Sequence, residues 1–300
     1  MAKYIEKFKL PSIEVEENLV TNRIMQNGGF LDNAYPCNIF TYKFLTEIDF
    51  ETITILYGGN GSGKSTLLNL IAKKLNLKRI SNYNTSELFD DFVDQCKILM
   101  AEDEEEYFYK SVPCNSRLIA SDDIFDYMIS ARENNQNILE NTELKKDEWN
   151  QLRYGQTIFL KGSENYEEFK RQTLTRKKSL TRRKFIFNEI GKEVKLNSNG
   201  ETAIEFFEKM LEDNCLYCLD EPENSLSPKF QNILVELLKD KAKYFGCQFV
   251  IATHSPFVLA IDGAKIYDLD STPVDIKKWW NLENTKEYFN FFYKHKDLFL

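Results

Sequence analysis

Gly58-Gly59-Asn60-Gly61-Ser62-Gly63-Lys64-Ser65-Thr66 is the stretch on which the reading of this chain depends. It satisfies the phosphate-binding pattern G-x-x-x-x-G-K-[ST]. Its flanks agree with it. Upstream, Thr52-Ile53-Thr54-Ile55-Leu56-Tyr57 is β-branched and apolar, the composition of a buried strand. Downstream, Leu67, Leu68, Ile71, Ala72 and Leu75 recur at helical spacing. A strand, a glycine turn and a helix start can together hold a triphosphate. Glycines let backbone N–H groups close around the phosphates, and the helix N-terminus adds its positive dipole end. Gly58, Asn60, Gly61, Ser62, Gly63 and Thr66 are expected to form that cradle. Lys64 is expected to reach the β- and γ-phosphates of ATP, and the Ser65 hydroxyl to ligate Mg²⁺.

The chain of 300 residues has room for one large domain or two modest ones, and 42% hydrophobic residues suffice for a core. A net charge of −8 argues against a nucleic-acid coat over the whole surface, while leaving room for a local basic patch. No run approaches the ~18 apolar residues of a membrane span, and the start Met1-Ala2-Lys3-Tyr4 leads into no signal-like segment. The expected location is the cytoplasm, without membrane insertion. The six cysteines are scattered, as in a reducing compartment. Cys215 and Cys218 are spaced like a metal or redox pair, but they flank a strand-like run with no second pair following, and are read as core residues.

The texture changes along the chain. Residues 1–50 hold short apolar runs, such as 38–42 and 44–45, read as strands leading to the cradle. Residues 1–82 and 191–300 are expected to make a discontinuous nucleotide-binding core. Residues 83–190, with an acidic run at 102–106, are expected to be a mostly helical insertion. Residues 170–184 are basic without an acid, and could meet nucleic-acid phosphates, an acidic partner or the chain's own acids. Helices are expected at 201–213 and from Ser227-Pro228 to Gly246, and strands at 215–219 and 248–253. This alternation indicates an α/β fold with a mostly parallel sheet. The aromatic tail (Trp279, Trp280, Tyr288, Phe289, Phe291, Phe292, Tyr293, Phe299) is expected to pack back on the core, with an interaction surface as the alternative reading.

Hydrolysis needs more than a cradle. The run Leu216–Glu221 ends a strand on two carboxylates: Asp220 to hold Mg²⁺ and Glu221 to act as general base. His254, where the 248–253 strand stops, is placed to meet a γ-phosphate. Ser198-Asn199-Gly200, ahead of a helix, forms a second anion site. One molecule has no evident use for two phosphate sites, but two molecules do, if each serves the other's nucleotide.

These segments, with the turn Asn224-Ser225-Leu226-Ser227-Pro228, stand in the order of the motifs of ABC-type ATPases. The chain resembles the soluble, non-transporter ATPases of bacteria, similar to the heads of SMC-type and DNA-repair proteins and to ATPases of phage-defence operons. The resemblance covers roughly 1–80 and 190–300. It implies a P-loop fold and a head-to-tail homodimer with ATP between the subunits, with Ser198 and Gly200 contacting the γ-phosphate in trans. A full ATP site with no second catalytic constellation in the sequence is read as a switch acting on an effector protein, such as a nuclease or toxin, or on DNA. Two departures stand out. Asn199 and Glu201 replace residues of the transporter signature. In Leu118–Asp123 an acid occupies the place of the family's glutamine, making Asp122 the expected equivalent and a metal ligand. An ATP-binding transporter subunit and a DNA-repair clamp are the alternatives.

Overall fold

The computed structural model describes residues 3–81, 85–102, 107–177, 180–190 and 198–299. In chain order the elements are β1 (Ile5–Lys9), α1 (Ile13–Gln26), β2 (Glu47–Asp49), β3 (Ile53–Tyr57), α2 (Lys64–Lys74), α3 (Phe89–Gln95), β4 (Lys97–Met100), β5 (Arg117–Ala120), α4 (Ser121–Tyr154), α5 (Tyr166–Thr175), α6 (Arg182–Ile190), α7 (Asn199–Met210), β6 (Leu216–Asp220), α8 (Pro228–Tyr244), β7 (Gln248–Thr253), α9 (Pro256–Leu259), β8 (Lys265–Asp268), β9 (Asp275–Ile276) and α10 (Glu283–Lys294).

Every residue of β3 and of β7 is buried. Strands covered on both faces favour a parallel sheet with helices packed over it. The sheet that forms has the order β5-β6-β7-β3-β8-β9, parallel from β5 to β8, with β9 antiparallel at the edge. Its register places Asp220 beside Ala252 and Tyr57 beside Thr253. The carboxyl ends of β3, β6 and β7 therefore share one edge although they come from distant parts of the chain. In open α/β sheets that edge is where ligands bind.

A smaller antiparallel sheet, β2-β1-β4, shows the alternating burial of strands wetted on one face. Gln248 ties it to the main sheet. Its fully buried amide accepts from the Tyr4 and Ile5 N–H groups at 2.7 and 3.0 Å and donates to the Ile5 and Glu51 carbonyls at 2.9 and 3.1 Å. Leu67, Leu68 and Ile71 of α2 join Phe8, Ile48, Phe50 and Phe92 in one core cluster. Each such side chain contributes about 1.5–3 kcal/mol by leaving water. α8 begins on Pro228 after Ser227, as its sequence predicts, and the chain leaves it through Gly246 at φ +62°.

The chain divides into two compact units, one of residues 1–125 with 199–300 and the other of 126–198. The sequence reading put the boundary near 82. The structure moves it to 125, because β4 and β5 lie in between and hydrogen-bond into the two sheets of the first unit. Within the second unit, charged side chains on the helices satisfy one another. Arg171 reaches Glu148 at 3.0 Å and Glu189 at 2.9 Å, and Lys145 reaches Glu148 at 2.6 Å. Arg176 donates to the Leu152 and Gly155 carbonyls. Two arginines of the basic 170–184 stretch are thus engaged internally. Of the acidic 102–106 run only Glu102, which is exposed, lies among the described residues.

Three further expectations are corrected. The run 38–45 is not a strand: it holds a single 3₁₀ turn at Thr41–Lys43, and Asn38 and Phe44 have positive φ, which breaks an extended path. The N-terminal segment contributes β1 and β2 together with α1, a helix not expected there. The aromatic tail does not bury itself, since Tyr288, Phe289, Phe291, Phe292 and Tyr293 on α10 are all exposed. Cys215 and Cys218 are buried and free, as expected. Among the described residues no helix is long and apolar enough to cross a membrane.

Candidate active site

Between β3 and α2 the backbone turns so tightly that glycine is required. A Cβ at Gly58 would lie 2.5 Å from the Ser62 hydroxyl oxygen. At Gly63, φ is +101° and a Cβ would press on Ile39 and Phe40 at 3.0 Å. Lys64, 5% exposed, folds over the loop and donates from Nζ to the Gly58 and Gly59 carbonyls at 2.8 and 3.0 Å. Two side chains from elsewhere hold the loop from outside. Lys43 Nζ donates to the Ser62 and Leu269 carbonyls at 2.7 and 2.6 Å. Asp270 accepts from the Gly59 N–H at 2.7 Å. Neither belongs to a motif, and the sequence reading missed both.

The loop opens into a cavity of about 540 Å³ walled by residues 60–66, Ile39, Ser121, Asp220 and Glu221. Asp220 ends β6 there. Burial pushes its carboxyl above the usual aspartate range, against the opposing pull of the Ser65 hydroxyl. Its Oδ1 is buried without a hydrogen-bond partner. A buried carboxylate oxygen lacking a donor, with a hydroxyl oxygen opposite, suits a small hard cation with oxygen ligands. Among the described residues no group of three or more His, Cys, Asp and Glu could hold a metal. Ser65 and Asp220 are the oxygen donors that this wall offers such a cation.

Glu221 follows at φ +46°, a conformation costly for a side chain with a Cβ and one that gathers at functional sites. Its N–H bonds the Ala252 carbonyl at 2.9 Å, and Oε2 accepts from the Asn224 amide at 3.0 Å. Its Oε1 faces Lys64 Nζ at 3.6 Å and His254 Nδ1 at 3.5 Å. The structure thus brings Lys64, Ser65, Asp220, Glu221 and His254 to one sheet edge.

Behind them sits Glu223, 4% exposed, which the sequence reading gave no role. Its Oε1 accepts from the Thr253 hydroxyl and from the His254 and Ser255 N–H groups, the latter two at 3.2 Å. Burial pushes its carboxyl up while those donors pull it down. Ser255 caps α9, accepting from the Phe257 and Val258 N–H groups, and donates to the Gln231 side chain at 2.7 Å.

Asp122 does not take the place expected of it. It is exposed, and Ser121 is the residue of that segment that lines the cavity. The start of α4 turns Asp123 inward instead, where its carboxylate accepts from the Ala120 N–H at 2.8 Å and from the Ser81 hydroxyl. Gly200 is buried under Phe230 of α8, so closely that a Cβ would lie 2.2 Å from the ring. This glycine is needed for helix packing, whatever else it does. Ser198 and Asn199, just before it, are exposed.

The family model described as ABC transporter matches residues 45–224, more than half of the chain. The chain belongs to that family. It is an ATP-hydrolysing enzyme of the ABC type, with an α/β P-loop core. A second family model, an AAA domain described for AbiEii-type toxins of type IV toxin–antitoxin systems, matches residues 210–260. Among solved structures, the chain is similar to the SMC head domain from Thermotoga maritima, at 16% identity over 77% of this chain and 92% of that one, with a TM-score of 0.39. It is also similar to the Pyrococcus furiosus SMC head with an extended coiled coil bound to the C-terminal domain of ScpA, at 14% identity over 81% and 95%, with a TM-score of 0.36. A third is a dimeric ATP-binding cassette in a post-hydrolysis state with ADP and Pi, at 18% identity over 79% and 90%, with a TM-score of 0.34. No curated protein matches the chain.

Proposed function

We propose that this ABC-type ATPase is Mg²⁺-dependent and works as a head-to-tail homodimer that sets the state of a partner protein. The observation that carries the reading is the convergence of Lys64, the unpartnered Asp220 Oδ1 and Glu221 on one cavity. Ser65 and Asp220 would hold Mg²⁺. When bound, that ion supplies charge neutralisation of the phosphates.

The chain's own groups do the rest. Lys64, released from the loop carbonyls, would pair with the β- and γ-phosphates. The N–H groups at the start of α2 would donate hydrogen bonds to the remaining phosphate oxygens. Glu221 Oε1 would take the proton of the attacking water, and His254 would orient the γ-phosphate through its ring N–H. Asn224 holds Oε2, so Glu221 would act through Oε1 once Lys64, now facing that oxygen, turns to the phosphates.

Support for a dimer comes from what the cavity lacks. Neither Asn199 nor Gly200 is among the described residues that wall it. A second copy could supply its 198–200 segment, exposed at Ser198 and Asn199, with Ser198 and the Gly200 backbone meeting the γ-phosphate in trans. The partner proposed is a toxin or nuclease effector of the phage-defence kind; the match of residues 210–260 to a domain described for AbiEii-type toxins supports the toxin–antitoxin part of that reading. The internal bonds of Arg171 and Arg176 leave less of the 170–184 stretch for nucleic acid, and favour a protein partner.

The test is steady-state phosphate release with and without Mg²⁺. The parent should turn over ATP only with the metal, and Glu221→Gln should fall by about 10²–10⁴-fold while still binding ATP. Equal turnover in parent and Glu221→Gln would remove the assignment of the base.

A further inference from the structure

A second cavity, of about 760 Å³, opens between α8, α9 and α10. Its walls are unlike those of the nucleotide pocket. Trp279, Tyr288, Phe289 and Phe292 are among its aromatic wall residues, and Glu223, Gln231, Asn232 and Thr285 are among its polar ones. Glu223 and Thr285 are incomplete. Glu223 Oε1 has three donors, but Oε2 is buried with none, and Thr285 Oγ1 is likewise buried without a partner. Two orphaned oxygens in one aromatic cleft are costly unless something else pairs with them.

The chemistry of the missing group follows from the walls. A buried carboxylate oxygen calls for a donor, and a positive one by preference. Aromatic faces attract cations, and hold a planar guanidinium better than a compact ammonium. The lysine on the rim, Lys239, is paired with Glu236 at 2.9 Å. His254 Nδ1 lies at 3.8 Å from the Oε1 side of Glu223. The apolar surface also continues past the cleft, because Phe291, Tyr293 and Phe299 are 59%, 60% and 71% exposed. A free organic cation would leave that surface uncovered, whereas a polypeptide would cover it.

We propose that the cleft seats an arginine side chain presented by an apolar segment of a partner protein. The proposal names the contact surface for the partner of the switch, and in that respect rests on the function proposed above. The carboxylate that receives the guanidinium also accepts from the N–H of His254, so partner and γ-phosphate would meet through one residue, Glu223.

The test is calorimetric titration of the full chain with an amidated pentapeptide carrying a central arginine between leucine and phenylalanine residues. Its citrulline twin and spermidine serve as the comparison ligands. The arginine peptide should bind saturably, and the neutral citrulline peptide roughly tenfold or more weakly, since a charge-assisted bond is lost. Glu223→Gln should narrow that difference. Phe292→Ala, at a wall residue 53% exposed and so removable without opening the core, should weaken the arginine peptide. Equal binding of the two peptides, no saturable binding, or spermidine binding as tightly as the peptide would each overturn the proposal. Phosphate release measured on the same preparation keeps the two readings apart. Peptide binding without turnover would count against the proposed catalytic roles alone, and turnover without peptide binding against the cleft alone.

Discussion

Glu221 and Glu223 stand two residues apart on one turn and face different cavities. Glu221 is turned toward a polar pocket whose loop is held by Lys43 and Asp270, with Lys64 folded over it. Glu223 is turned toward a cleft of aromatic rings. Each cavity contains a carboxylate oxygen that is buried and unpaired, on Asp220 in one and on Glu223 in the other. What differs is the company those oxygens keep. Beside Asp220 are a hydroxyl, a lysine and a helix N-terminus, the surroundings of a metal and phosphates. Beside Glu223 are the Thr253 hydroxyl and the His254 and Ser255 N–H groups on Oε1, and the cleft it lines carries aromatic rings, the surroundings of a cation carried on apolar chain. The same defect of pairing thus implies different ligands: a metal ion with its phosphates in one cavity, an organic cation in the other.

The sharpest way to break this contrast is Lys64→Ala. Turnover should fall by roughly 10²–10³-fold, as when a charge-stabilising donor is removed, while binding of the arginine peptide stays intact. Loss of both together would mean that the two cavities are one unit. Next in size is Gly200→Ala. The added methyl must displace the Phe230 ring, and such overpacking costs about 1–3 kcal/mol, readable as a lower urea midpoint. An unchanged midpoint would show that α7 and α8 pack less tightly than described.

The smallest effect, and the most specific, is that of Asp220→Asn. The folded-state pKa of Asp220 lies above its ordinary value, so the group favours folding below the ordinary aspartate pKa. That contribution disappears as pH rises through the raised folded value. Above that raised value the charge on buried Asp220 therefore weakens the nucleotide-free protein. Asp220→Asn should raise its thermal midpoint at pH 7, leave it nearly unchanged at a pH below the ordinary aspartate pKa, and abolish the gain that Mg²⁺ and ATP give the parent. A lower midpoint at pH 7 would contradict the burial argument.

The two cavities also differ in how far sequence could foretell them. The nucleotide pocket was legible because backbone geometry dictates residue type. Only glycine fits at 58 and 63, and β3, β6 and β7 read as continuous apolar runs because both faces of the parallel sheet are covered. The loop's outer supports were not legible: Lys43 and Asp270 act through contacts to residues 226 and 211 positions away. The small antiparallel sheet was hidden for the same reason, since β1 pairs with strands at 47–49 and 97–100. One residue of helical phase decided between Asp122 and Asp123, finer than element boundaries can be read from periodicity. The aromatic cleft left no motif at all, because its carboxylate sits on one turn and its rings on a helix some sixty residues later.

Central to the account is that one chain owns only part of each working catalytic pocket. The direct measurement is the mass of Glu221→Gln in solution by light scattering, with Mg²⁺ and saturating ATP, with ADP, and without nucleotide. The account predicts twice the single-chain mass with ATP and the single-chain mass in the other two conditions. A single-chain mass at ATP saturation would contradict it.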